Sequence, residues 1–153
     1  TAGRLDFSSG TGPRVLDLSG LPPVAMLICY EVIFPDEVLG EDQNTPRPGW
    51  LLNITNDAWF GVTTGPHQHL AAARLRAVEH GLPLVRVANT GISAIIDPYG
   101  RTNVALALGK AGVLDGNLPK ALDPTIFSRF GALITWFLIF VTIALPVTIG
   151  REN

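Results

Sequence analysis

Residues 24–31 read Val24-Ala25-Met26-Leu27-Ile28-Cys29-Tyr30-Glu31, and this stretch decides the fold. Val24 to Cys29 is a short apolar run bounded by Pro23 before it and by the polar pair Tyr30 and Glu31 after it, the pattern of a strand buried on both faces. Upstream, residues 1–23 carry Gly10, Gly12, Pro13, Gly20, Pro22 and Pro23 and read as an extended, loop-like lead-in. Downstream, a polar loop from Glu41 to Gly49 separates the run from Trp50 to Thr55, a second strand. The loop from Asn56 to Pro66 then carries Asn56, Asp57, Trp59 and Phe60. After Pro66, HQHLAAARLRAVEHG predicts a helix: Leu70, Ala73 and Ala77, with neighbouring Leu75 and Val78, have helical spacing, and Gly81 lies just past the end. Leu84 to Ala88 and Ile92 to Ile96 are two further strands, followed by a turn at Asp97, Pro98, Tyr99 and Gly100. A polar antiparallel strand follows, and Gly112 to Leu118 is a candidate for the last. The order mixes a βαβ crossover with a meander, so the class is α/β or α+β around a mixed sheet.

The 153 residues are the size of one ordinary domain. With 47% hydrophobic and 16% charged residues and a mean hydropathy of +0.32, disorder is excluded. A net charge of -2 gives no basic surface for neutralising phosphates, so nucleic acid is not an expected partner. The only lysines are Lys110 and Lys120. The single Cys29 excludes an intramolecular disulfide and a thiolate zinc site. The apolar excess concentrates in Phe130 to Ile149, FGALITWFLIFVTIALPVTI, about the length that spans a bilayer as a helix. A buried core helix is the alternative, but only Thr135, Thr142 and Thr148 interrupt the run. Arg129 bounds one end and Arg151 with Glu152 the other, so charge assigns no orientation. The chain opens on Thr1 with no charged-then-apolar leader, which suggests the C-terminal piece of something longer.

A lone cysteine in an apolar run is ordinarily an inert core residue. Cys29, however, stands where a buried strand gives way to polar residues, and a nucleophile on such a corner is exposed at the carboxyl edge of the sheet. The Tyr30 amide is then a candidate oxyanion donor, and Glu31 is close enough to influence the thiol or orient a partner, unless it is an ordinary surface carboxylate. His67, His69 and His80 are the available imidazoles. His67 and His69 form an H-x-H pair without a convincing third metal ligand, so a polar role at the helix start is the simpler reading and no metal is expected. Spacing alone identifies no base for the thiol.

Leu27 to Glu31 (LICYE), Asn53 to Gly61 (NITNDAWFG), Gly65 to Glu79 (GPHQHLAAARLRAVE) and Leu84 to Gly100 (LVRVANTGISAIIDPYG) together resemble the nitrilase, or carbon-nitrogen hydrolase, superfamily. Within it, CYE, NDAWFG, the GPHQH helix start and a terminal apolar span resemble the apolipoprotein N-acyltransferase family. The resemblance implies the C-terminal part of an α-β-β-α sandwich followed by one transmembrane helix: residues 1–120 a partial hydrolase domain, 121–128 a linker and 129–150 the membrane helix. It implies Cys29 as the nucleophile and acyl-thioester carrier, with Tyr30, Glu31, Asn56 and Trp59 in supporting positions and no cofactor. Its partners are a phospholipid acyl donor, a diacylglyceryl-modified apolipoprotein acceptor and the membrane. Its place is the bacterial cytoplasmic (inner) membrane, with the hydrolase domain on the outer, periplasmic face.

The sequence departs from this family in one respect. The superfamily triad is Glu, Lys and Cys, and the first two precede the Cys, yet no Lys occurs before Cys29 and the only acids there are Asp6 and Asp17. Truncation is the simplest account, and the chain alone is expected to be inactive. The competing readings are a membrane-anchored nitrilase-type amidase and a non-catalytic tethered module in which Cys29 is core packing.

Overall fold

The structure, a computed structural model, describes residue 12 and residues 14–35, 38–39 and 46–149. Asp6, Gly10, Pro13, the part of the polar loop before Pro46, and Arg151 with Glu152 lie outside the described residues. Six strands form one mixed sheet: β1 (Val15–Leu16), β2 (Val24–Ile28), β3 (Trp50–Asn56), β4 (Leu84–Asn89), β5 (Ser93–Ile96) and β6 (Thr102–Leu106). Their order in the sheet is their order in the chain. β2, β3 and β4 run parallel, with Leu27 opposite Asn53 and Asn53 opposite Arg86, while β1, β5 and β6 are added antiparallel. The crossover from β3 to β4 is made by helix α1 (Gly65–His80).

The caps of α1 are those its sequence predicts. Pro66 sits in the first turn, where a missing N–H costs nothing, and Gly81 ends the helix at φ 63, its amide donating to the Ala77 and Val78 carbonyls. Its buried side matches the expected one at Ala73 and Ala77, with Leu70 packed against the same core, and departs from it elsewhere. Leu75 and Val78 are exposed, while Pro66, His69, Ala73, Arg76, Ala77 and His80 face inward. These positions also keep helical period, and their polar members are accommodated by partners: Arg76 Nη1 donates to the Ile33 carbonyl at 3.1 Å and its Nη2 to Glu79 at 2.8 Å. The small Ala73 and Ala77 bring the helix close to Ala25, Leu27, Leu51, Leu84, Ala94 and Ile96 on one sheet face. Each buried leucine there contributes about 1.5–3 kcal/mol.

The opposite face is largely open. Ile28, Ile54 and Val87, adjacent in register, are 62%, 45% and 51% exposed. Residues 112–118 do not extend the sheet, contrary to expectation. They cross this open face, where a Cβ on Gly116 would stand 2.8 Å from Ile95, so backbone is laid over strands instead of alongside an edge. β1 pairs within a stretch expected to be loop; two residues long, it has no periodicity to read.

Residues 121–125 fasten to the end of α1: the Leu122 amide donates to Gly81 at 2.9 Å, and the Thr125 hydroxyl donates to the Glu79 carbonyl. Arg47 braces the same corner, donating to the carbonyls of Leu122 at 2.9 Å and His80 at 2.7 Å. Thr125 also caps α2 (Ile126–Phe130). The twenty-residue apolar run is not one helix. Gly131, at φ 52, separates α2 from α3 (Leu133–Ile149). Among the described residues, no helix is long and apolar enough to cross a membrane.

The turn between β5 and β6 offers a check on electrostatics. Burial pushes the Asp97 carboxyl up, but the amides of Arg101 and Tyr99, each donating to Oδ1 at 2.9 Å, and the Arg101 guanidinium at 2.7 Å outweigh it and hold it below its ordinary value. A carboxyl lowered in the folded state stabilises above its unfolded titration range, and that stability is lost as pH falls through the folded one. Asp97→Asn is therefore expected to cost about 1 kcal/mol at neutral pH. Urea titrations should show the gap to the parent chain closing below about pH 4.

Candidate active site

The carboxyl ends of β2, β3 and β4 converge on one corner, the position where parallel sheets ordinarily present their chemistry. β2 stops at Ile28, so Cys29 is the first residue of the following 3-10 turn, Cys29–Ile33, and not the last of the strand. Its φ is +52, a left-handed conformation that costs an L residue about 1–2 kcal/mol. Among the described residues only Thr90 shares this among non-glycines. Two groups hold the corner. Glu31 accepts the Ile28 amide at 2.6 Å, and Asn53 Nδ2 donates to the carbonyls of Leu27 at 3.0 Å and Cys29 at 3.3 Å. Glu31 thus acts on the backbone that presents the thiol. Cys29 itself is half-buried, unlike an inert core cysteine.

Beneath the sulfur lies a polar network that the sequence did not announce. Asn53 and Thr55 point to the same face of β3, and Arg86 lies opposite Asn53 on β4. Arg86 donates through Nη1 to Asn53 Oδ1, through Nε to the Ile92 carbonyl at 3.3 Å and through Nη2 to Asp57 Oδ2 at 2.7 Å. Asp57 opens the 3-10 turn after β3, and its Oδ1 lies 2.9 Å from His69 Nδ1 and 3.2 Å from the Thr55 hydroxyl. The Thr55 hydroxyl in turn stands 3.5 Å from Cys29 Sγ. Both side chains of the Arg86–Asp57 pair are fully buried. Burial lowers the Arg86 guanidinium from its ordinary value, while Asp57 and then Cys29 oppose that by favouring its charged form. Gly91 fits this packing for want of a side chain: a Cβ there would stand 2.3 Å from Asp57 Oδ2.

The remaining expected residues lie around the rim. Tyr30 stacks 5.1 Å from the His69 ring and 6.1 Å from Phe60, closing one side of the corner. Asn56 Oδ1 accepts the Ala58 amide and the Asn89 side chain, both at 3.1 Å, linking the ends of β3 and β4. Trp59 is 84% exposed on the turn Asp57–Phe60. His67 is exposed while His69 is buried against Asp57, so the two do not converge. Among the described residues no group of three His, Cys, Asp or Glu side chains could hold a metal ion. A cleft of about 520 Å³ opens on the uncovered sheet face, lined in part by Ile54, Thr55, Val87, Ser93 and Lys110.

The sequence points to no role for Asn53, Thr55, Asp57 or Arg86, and to only a polar helix-start role for His69. The available signal was period-two: in WLLNITN, Asn53 and Thr55 fall on the same side as buried Leu51, and Arg86 sits in the middle of an otherwise apolar strand.

Residues 4–125 match the family described as Carbon-nitrogen hydrolase. The chain is 53% identical over 141 residues to an apolipoprotein N-acyltransferase of Bradyrhizobium diazoefficiens, a match covering 92% of this chain and 26% of that protein. It is 56% identical over 128 residues to one of Rhodopseudomonas palustris, covering 83% of this chain and 23% of that protein. The chain thus spans about a quarter of the length of these curated relatives. Among solved structures, a CN-hydrolase superfamily protein of Xanthomonas campestris shares the fold at TM-score 0.51 and 17% identity, over 68% of this chain and 43% of that one. With a family match across most of its length, and with a strand-end cysteine held over a buried polar corner, the chain belongs to the carbon-nitrogen hydrolase family.

Proposed function

We propose that the chain is the Cys29-bearing part of an apolipoprotein N-acyltransferase. The observation that carries this reading is the left-handed, half-buried Cys29 at the carboxyl end of a central parallel strand, in a chain whose close relatives bear that name. In the first step the Cys29 sulfur attacks the ester carbonyl of a phospholipid; the carbon–oxygen bond breaks, and the departing lysophospholipid oxygen takes the proton that the thiol gave up. In the second, the α-amine of a diacylglyceryl-modified cysteine attacks the thioester. The carbon–sulfur bond breaks, an amide forms, and the amine's proton returns to the sulfur. A thioester suits this division because it stores the acyl group in activated form between two lipidic substrates.

The apolar C-terminal run supports a place at the membrane. Leu133, Trp136, Phe137 and Phe140 of α3 are 69%, 67%, 64% and 68% exposed, a surface that water does not favour. In this reading the hydrolase domain lies on the outer face of the bacterial cytoplasmic membrane. Tyr30, Glu31, Asn56 and Trp59 shape the corner that the substrates enter. The triad's Glu and Lys have no match before Cys29, so the chain by itself is inactive.

Intact mass spectrometry tests both halves of the reading. The chain alone is expected to stay unmodified with phospholipid. Joined to the upstream length of the Bradyrhizobium relative, it should gain an acyl mass that hydroxylamine removes and that a lipopeptide amine accepts. Release of a free carboxylic acid from a small amide or nitrile, with water as the productive acceptor and the lipopeptide left unmodified, would instead identify a membrane-anchored nitrilase-type amidase.

A further inference from the structure

Thr55 has one hydroxyl proton and two acceptors within reach. Its Oγ1 lies 3.5 Å from Cys29 Sγ and 3.2 Å from Asp57 Oδ1, and it can donate to only one of them at a time. Asp57 has other neighbours besides this bond: Arg86 Nη2 donates to Oδ2 at 2.7 Å, and His69 Nδ1, itself 3.1 Å from Arg86 Nη2, lies 2.9 Å from Oδ1. Thr55 is 6% exposed, so water does not compete freely for the hydroxyl.

We infer that Thr55 is a positioning residue, a hydrogen-bond switch beneath Cys29 that follows the protonation state of the sulfur. While the thiol is protonated, its S–H turns to the Thr55 oxygen and the hydroxyl donates to Asp57. When the proton leaves, the hydroxyl rotates and donates to the thiolate, and Asp57 keeps its bonds to Arg86 and His69. Only hydrogen bonds change partners. The inference rests on the reading of Cys29 as nucleophile and adds to it the group that stabilises its reactive form.

The titratable groups around the corner come from every element packed there: Tyr30 and Glu31 from the Cys29 turn, Asp57 from the turn after β3, His69 from α1, Arg86 from β4, and Lys110 from the segment lining the Thr55 cleft. Of these, Asp57 is the one that shares the Thr55 proton with the sulfur.

The test is the pH profile of Cys29 alkylation by iodoacetamide in the detergent-solubilised chain, read by mass spectrometry. Thr55→Val keeps the shape and removes the hydroxyl; its profile should move to higher pH by about one to two units, the size of one charge-assisted hydrogen bond. Thr55→Ser should overlay the parent chain. Thr55→Ala, which removes the hydroxyl without branching at Cβ, should move as valine does and serves if the valine variant does not fold. A profile that neither T55V nor T55A shifts, in a protein whose Cys29 is alkylated when native, overturns the switch alone. A Cys29 that resists alkylation until unfolding overturns the nucleophile reading and the switch with it.

Discussion

Arg86→Met is expected to destabilise the domain by on the order of 3–5 kcal/mol, the largest loss for any single change at the candidate site. The Arg86 side chain is fully buried and donates to Asn53, Asp57 and the Ile92 carbonyl. Methionine fills a similar volume and returns none of those bonds. The Asp57 carboxylate, also fully buried, is left with only the His69 nitrogen and the Thr55 hydroxyl. For a chain of this size the loss corresponds to roughly 10 °C in Tm, which thermal unfolding in detergent measures directly. Arg86→Lys keeps a charge but not the fork that serves Asn53 and Asp57 together, so it should fall between parent and methionine. Combining Arg86→Met with Asp57→Leu removes both charges and is expected to recover part of the loss, because a buried pair replaced by apolar groups costs less than a pair half removed. Recovery stays partial, since His69 and Thr55 lose their acceptor. A methionine variant as stable as the parent would mean that the pair does not hold the corner together.

The same network marks how far the sequence can be read. α1 and the central strands follow from local signals: Pro66 and Gly81 bracket the helix, and apolar runs fix β2 and β4 within a residue. Cys29 stands out because it is the only thiol and ends such a run. The partners beneath it carry no local signal. Asn53 and Arg86 meet because β3 and β4 pair in one particular register, and Asp57 meets His69 because the helix returns over the turn that precedes it. Composition blurs such contacts further: Arg86 inside LVRVA and Arg76 and His80 on the inner side of α1 look misplaced until their partners are known. Leu75 and Val78 mislead in the opposite sense, being apolar and exposed. Hydropathy likewise sees one run from Phe130 to Ile149, because it averages over Gly131 and cannot register the positive-φ break there.

Cys29→Gly should have two effects of opposite sign. Acyl-thioester formation at position 29 is expected to be abolished, since the sulfur that carries the acyl group is gone, and acyl transfer by the assembled enzyme to fall by about 10⁶-fold, the scale on which nucleophilic constellations lose rate when the nucleophile is removed. The fold, by contrast, should gain about 0.5–1 kcal/mol: at φ +52 the cysteine Cβ is strained, and glycine relieves that strain at some cost in unfolded-state entropy. Cys29→Ala separates the two effects, since it lacks the sulfur but keeps the Cβ; it should be equally inactive and no more stable than the parent. Acyl mass on the protein reads the first effect, and urea unfolding of the three chains reads the second. Acylation that survives either variant would remove Cys29 from the chemistry, and a glycine variant less stable than the alanine variant would show that the left-handed turn carries no strain. The predicted pattern has a structural meaning: Glu31 and Asn53 hold a conformation that a cysteine would not choose, so the corner gives up stability to place its sulfur beside Thr55 at the end of the sheet.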